Sequence, residues 1–295
     1  MLQRFLDPKV LLNISGLELT AKTVVDGFIS GLHRSPDFGF SQEFAEYRPY
    51  SPGDDLRSVD WNVFGRTERL FLKRYRGETN TRLTLLLDRS ASMSYGSEGV
   101  RKIDYARFLC ASLAYMAAGQ RDASGLITFD DDVRDFVKPS SRQGQLQRIL
   151  HAVDRSEPGQ RTDFSKPFFK FLESIHWRGI VVVISDFYAD PTEIVKTIAP
   201  LRFHGNEVVL FHLLDPGELR PPLTEPKILI DLETQDSIEV SPAWVDSVYR
   251  VKIDHHIDQL KTESRSAGLD YHLVSTARPL DEALREYLVI RQGRM

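Results

Sequence analysis

A single cysteine, Cys110, stands in a chain of 295 residues, so no internal disulfide can form and a reducing compartment is expected. Long apolar runs are missing as well. The longest purely aliphatic one, Ile180 to Ile184, falls far short of the roughly 20 residues that a helix needs to cross a bilayer. Arg4, Asp7 and Lys9 break up the start of the chain, which does not fit the basic, apolar, small-residue order of a signal peptide. Nor is there an excess of positive charge: the formal net charge is -4, which gives no general attraction to nucleic acid or anionic lipid. The local basic run Lys73-Arg74-Tyr75-Arg76 reads as the solvated face of a strand. A cytoplasmic protein with no nucleic-acid and no membrane partner is therefore expected. Phosphate loops of the Gly-x-x-x-x-Gly-Lys type, Gly-x-Ser-x-Gly elbows and zinc-spaced histidines are absent too, and His255-His256 reads as part of an exposed helix face.

What is present is an ordinary globular balance of 41% hydrophobic and 27% charged residues, enough for one main core with an appendage. Residues 1–80 show no regular alternation of strand and helix. They read as an N-terminal arm, with a helix through Leu17 to Phe28, a break at Gly31 and extended segments as far as Arg69 to Tyr75. From residue 82 the pattern changes to short apolar strands alternating with amphipathic stretches. The strands are Leu83–Leu87, Ala123–Phe129, Ile180–Ser185, Val208–Leu213 and Tyr271–Val274, and Ile103, Ala106, Cys110, Leu113 and Ala117 recur at helical spacing. The fold class expected for 81–295 is α/β, a doubly wound and mostly parallel sheet flanked by helices. Val133–Val137 adds a short edge strand, and an inserted β-hairpin at about 227–240 turns near Gln235-Asp236. A long helical pattern then runs from Pro242 towards Ala267.

The chemistry concentrates where the strand Leu83–Leu87 ends, in Asp88-Arg89-Ser90-Ala91-Ser92. In open α/β sheets ligands gather beyond the carboxyl ends of the strands. An acid followed by two alternating hydroxyls at such a place offers oxygen donors to a hard cation. Asp186 closes another strand, and Thr162 lies in the loop Gln160-Arg161-Thr162-Asp163. Oxygen donors of this kind suit Mg²⁺, with Mn²⁺ as a substitute, because hydroxyls and waters fill positions without adding charge. The ion then keeps a position for a carboxylate from outside. The plainer alternative is that Ser90 and Ser92 cap a helix while Asp88 satisfies loop amides.

The pattern Asp88-x-Ser90-x-Ser92 with Thr162 and Asp186 resembles the metal-ion-dependent adhesion site of the von Willebrand factor type A and integrin domains. That resemblance implies hydroxyl ligation by Ser90, Ser92 and Thr162, with Asp88 and Asp186 binding directly or through water. Glu43-Phe44, the run from Arg48 to Arg57, Val59-Asp60-Trp61, Glu233–Asp236 and Ser275–Leu280 resemble a second, longer signature, that of the bacterial "domain of unknown function 58" family. Relatives often carry glycine where Gln235 stands, and many have membrane segments. This resemblance implies a MoxR-type AAA+ ATPase or its client as partner, and an adaptor role with no enzymatic activity of its own. It also suggests a shift of the last helix, about Leu280 to Val289, when the rim is occupied. Asp54, Asp55, Arg57 and Asp60 around Trp61 read as an ion-pair latch, with contact to the ATPase or the rim as the alternative. A metal-assisted phosphohydrolase and a metal-free scaffold are the rival functions.

Overall fold

A computed structural model describes residues 7–32, 44–49, 59–75, 81–159, 167–168 and 177–292. The chain divides into two compact units, residues 29–79 and residues 1–28 together with 80–294. In the smaller unit, strands β1 (Phe44–Pro49) and β2 (Phe71–Tyr75) pair antiparallel, and Lys73, Arg74 and Tyr75 fall within β2. A helix, Trp61–Thr67, lies between them in sequence. Asp60 caps it: its carboxylate accepts from Val63 N at 3.3 Å, while its own N–H donates to Phe71 O at 2.9 Å. Asp54, Asp55 and Arg57 lie outside the described residues. Trp61, expected at the centre of the latch, is 59% exposed and meets Phe64 edge-on at 6.0 Å.

The larger unit is built on strands β3 (Arg82–Asp88), β4 (Ala123–Phe129), β5 (Val133–Ser140), β6 (Ile180–Ser185), β7 (Glu207–Leu214) and β10 (Asp270–Ser275). Their order is β10-β7-β6-β3-β4-β5, and every pairing is parallel except β4 with β5. This is the doubly wound, mostly parallel sheet that the strand and helix alternation predicts. β3, β6 and β7 are buried on both faces, which is why they read as unbroken apolar runs. On one face Leu86, Ile127, Val181, Val183 and Leu210 pack with Ile194, Ile198 and Leu260, from the helices Pro191–Ile198 and Arg250–Ser266. The helix Lys102–Gly119 buries Ile103, Ala106, Cys110, Leu113 and Ala117, as their spacing requires; burial pushes the Cys110 thiol up. A further helix, Leu17–Leu32, seats Ala21 against Ala111 and Leu150. It extends to Leu32, one residue past Gly31, where the described residues of this stretch end.

Strands β8 (Lys227–Ile230) and β9 (Ser237–Val240) form the expected hairpin. Its alternation does not mark a buried face: Ile228, Ile230 and Ile238 are 68%, 59% and 53% exposed. The turn holds Gln235 at φ +63°, a left-handed conformation that a side chain disfavours by roughly 1–2 kcal/mol. Replacing Gln235 by glycine is expected to stabilise the hairpin by about 0.5–1 kcal/mol, seen as slower amide hydrogen exchange across β8 and β9. Unchanged or faster exchange would mean that the Gln235 side-chain bonds to Asp231 O and Leu232 O outweigh the backbone strain.

Candidate metal-binding rim

From β3 the chain passes to β4 and β5 on one side, and from β6 to β7 and β10 on the other. The crevice where a doubly wound sheet receives ligands therefore opens beyond the carboxyl ends of β3 and β6. Asp88 is the last residue of β3, and Ser185 the last of β6. Asp88 is fully buried. Its Oδ1 accepts from Ser90 N at 2.8 Å and its Oδ2 from Ser185 Oγ at 2.5 Å, while Ser185 Oγ accepts in turn from Phe187 N at 2.9 Å. Burial, and then the nearby charge of Asp186, raise the Asp88 pKa to about 7 against the pull of the Ser185 and Ser90 hydrogen bonds.

Ser90 is buried and Ser92 half-buried, and their hydroxyl oxygens lie 3.0 Å apart. Ser90 precedes a short 3₁₀ turn, Ala91–Ser94, but its side chain makes no capping bond to it. The capping alternative thus fails for Ser90, although Asp88 does accept a loop amide as that reading required. Backbone bonds tie the loop after β3 to its neighbours: Arg89 N donates to Phe129 O at 2.8 Å, and Gly159 N donates to Arg89 O at 2.6 Å. A Cβ at Gly159 would collide with the Asp130 carboxylate, so only glycine brings the chain this close to the rim ahead of Thr162. Thr162 itself lies outside the described residues.

Asp186, 1% exposed, follows β6 directly. The next residue, Phe187, is buried at φ +48°, a strained backbone of the kind that concentrates at functional sites. The Asp186 carboxylate meets a residue that sequence reasoning had passed over. Lys102, wholly buried at the start of its helix, donates from Nζ to Asp186 Oδ2 at 2.7 Å and to Glu218 Oε1 at 2.5 Å. Its ammonium also lies 4.8 Å from the centre of the Tyr188 ring. Burial alone would lower the Lys102 pKa, but the charges of Asp186 and Glu218 outweigh it and the net shift is upward. Burial raises the pKa of Glu218 in spite of that partner. The other Glu218 oxygen accepts from Asp215 N at 2.8 Å, within the capping box of the short helix Pro216–Leu219. Lys102 stands one helical turn before Ala106, on the buried face. A charge in that register was the available signal for it.

Histidines come closer to the rim than the sequence suggests. His212 on β7 is buried, with Nδ1 2.7 Å from the Tyr271 hydroxyl, and burial holds it neutral by pushing its pKa down to about 3. His256 is half-buried rather than exposed, its Nε2 3.2 Å from Phe187 O. Among the described residues no three His, Cys, Asp or Glu side chains are grouped to hold a metal, so a cation here depends on the serine hydroxyls. The Ser90 and Ser92 hydroxyls are hydrogen-bonded to each other at 3.0 Å, a spacing that two ligands at right angles around magnesium at about 2.1 Å would also take. The Asp88 carboxylate accepts from Ser90 N and Ser185 Oγ, with the Ser90 hydroxyl also acting on it, and an ionised carboxylate has about four acceptor sites in all. The crowding of Asp88 by the Asp186 charge is what a divalent ion would relieve.

The family model described as "Protein of unknown function DUF58" matches residues 46–262. The chain is 28% identical over 263 residues to "Uncharacterized protein Rv1480" of Mycobacterium tuberculosis and to "Uncharacterized protein Mb1516" of Mycobacterium bovis, in each case covering 87% of this chain and 82% of the relative. Among solved structures, the conserved hypothetical protein BatB from Bacteroides thetaiotaomicron aligns at 13% identity and a TM-score of 0.48, over 73% of this chain and 100% of its own. An aerotolerance-related membrane protein from Bacteroides fragilis aligns at 14% identity and a TM-score of 0.49, over 70% and 97%. Among the described residues no helix is long and apolar enough to cross a membrane.

Proposed function

Because the chain belongs to the DUF58 family, whose description assigns no activity, we propose its function from the rim itself: a protein-binding adaptor whose partner docks by an acidic side chain on a bound Mg²⁺ or Mn²⁺ ion. The observation that carries this reading is the pair of hydroxyls, Ser90 and Ser92, 3.0 Å apart beside a buried and charge-crowded Asp88 at the switch point of the sheet. Asp88, Ser90 and Ser92 would hold the ion, with Asp186 acting from behind them and Thr162 joining by the resemblance. The chemistry that the ion supplies when bound is a positive centre able to accept one more carboxylate. The protein's own part is to keep donors in place with few negative charges, since Asp186 is already paired with Lys102. Exposed tyrosines border the site, Tyr188 against Lys102 and Tyr95 through its carbonyl to Lys102 N at 2.9 Å. Tyrosine is enriched in the cores of protein interfaces. By the family resemblance the partner is a MoxR-type AAA+ ATPase or its client, and any reaction belongs to that partner.

Titration calorimetry tests the reading. Magnesium and manganese are each expected to bind the wild type with one-to-one stoichiometry, to leave Asp88→Ala without a signal, and to bind Ser92→Ala at least about tenfold more weakly, the loss of about 1.4 kcal/mol for one missing donor. Capture of a purified MoxR-type ATPase should then depend on the metal and disappear with chelator. A wild type that takes up neither ion at millimolar concentration, or capture that ignores Asp88→Ala, would sink the proposal.

A further inference from the structure

We propose that Lys102 sets the cation affinity of the rim by dividing its charge between Asp186 and Glu218. Removing the lysine and removing the glutamate should then shift that affinity in opposite directions. The inference rests on the cation-site reading above.

Burying an ammonium costs several kcal/mol unless its donors are met by well-placed acceptors. Lys102 is 0% exposed, and it has a carboxylate at 2.7 Å, another at 2.5 Å and the Tyr188 ring at 4.8 Å. The two acids differ in position. Asp186 follows β6 at the rim and its charge reaches Asp88. Glu218 sits on the short helix after β7, and its second oxygen is committed to Asp215 N at 2.8 Å. Asp215 is itself fixed by bonds from Ser97, from Gly217 N at 2.7 Å and from Thr276 Oγ1 at 3.1 Å. Glu218 therefore cannot follow Lys102 towards Asp186. It holds part of the ammonium's charge away from the rim, so that Asp186 is only partly neutralised.

A unit charge acting through protein at an effective dielectric constant of about 20 is worth several kcal/mol at salt-bridge distance. Even a fraction of that, felt at a rim cation, exceeds the free energy of a tenfold change in affinity. Lys102→Met leaves Asp186 unneutralised and should tighten magnesium binding at least about tenfold. Glu218→Gln keeps an oxygen for Asp215 N but releases the whole ammonium charge onto Asp186, which should weaken magnesium binding by about three- to tenfold. Lys102→Arg, with its charge retained, should stay within about threefold of the wild type. A purely structural role would lower affinity in both neutralising variants.

The experiment is calorimetric titration of the full chain with magnesium alone, at one ionic strength, for the wild type and the three variants, each checked for folding by circular dichroism. Tighter binding by Lys102→Met together with weaker binding by Glu218→Gln supports the inference. A wild type that binds magnesium while the two variants move in the same direction, or not at all, overturns it and leaves the cation site standing. No binding by the wild type removes the cation site itself, and the inference with it. Should Lys102→Met fail to fold, Glu218→Gln decides alone: weaker binding supports the proposal, and equal or tighter binding refutes it.

Discussion

Replacing Asp88 by asparagine is expected to stabilise the metal-free protein at pH 8.5, where a buried charge is removed, and to change it little near pH 4. The folded protein holds the Asp88 proton up to a pKa of about 7, whereas an unfolded aspartate gives it up near pH 3.9. Between those values the native state binds more protons than the unfolded state. The Asp88 contribution is therefore fully present below about pH 4 and is lost as pH rises through 7. Asparagine keeps the acceptor for Ser90 N and has no charge to bury. Its amide can donate to Ser185 Oγ, a hydroxyl able to reverse its role. The measurement is urea unfolding of both proteins in chelator from pH 4 to 8.5, and the difference between the two curves isolates this group. Added magnesium should then stabilise the wild type at pH 8.5 and leave Asp88→Asn unmoved, because only an ionised carboxylate rewards the ion. A variant less stable than the wild type at every pH would show that the charged carboxylate is needed by the fold.

Lys102→Met is expected to cost about 3–5 kcal/mol of stability at pH 7 in chelator, the usual penalty for removing one partner of a buried ion pair. Asp186 and Glu218 would then stand in the interior without their counter-ion. The loss should shrink as the pH falls, since the Glu218 carboxyl, already pushed up by burial, becomes neutral and part of the uncompensated charge is removed. Equilibrium unfolding at pH 7 and pH 4 checks both halves. An equal loss at the two values would mean that methionine merely packs badly. Glu218→Gln should cost much less, because Lys102 then retains Asp186.

The sheet could be read from the sequence because fully buried parallel strands leave little choice of residue. Ile180 to Ile184 and Leu83 to Leu87 are apolar at every position except Thr84, and both are strands as expected. The hairpin was legible from its alternation, yet alternation reports a pleat and not what covers it, so the exposure of Ile228 and Ile230 could not be foreseen. At the rim the local run Asp88-x-Ser90-x-Ser92 was visible because one loop carries it. What completes the surroundings, Lys102 and Glu218, comes from distant parts of the chain. Lys102 is signalled only by a charge in the buried register of its helix, and Glu218 is the third helical residue of a capping box. Their meeting depends on where β7 ends relative to β3, a tertiary fact with no local pattern. The latch read around Trp61 rests on Asp54, Asp55 and Arg57, which lie outside the described residues; of its other members, Asp60 caps a helix and Trp61 is exposed.

The parallel pairing of β3 with β6 has a consequence for the birth of the molecule. Asp88 and the Ser185 hydroxyl that steadies it are separated by 97 positions, and Lys102 and Glu218 by 116. While the polypeptide is still emerging from the ribosome, the acid is made long before the groups that tame it. Closure of such distant segments is also what makes parallel sheets slow to assemble. A nascent chain that stops short of Glu218 already holds Asp88, Asp186 and Lys102 but lacks the second carboxylate that shares the ammonium, so the finished balance of charge arrives only late in synthesis.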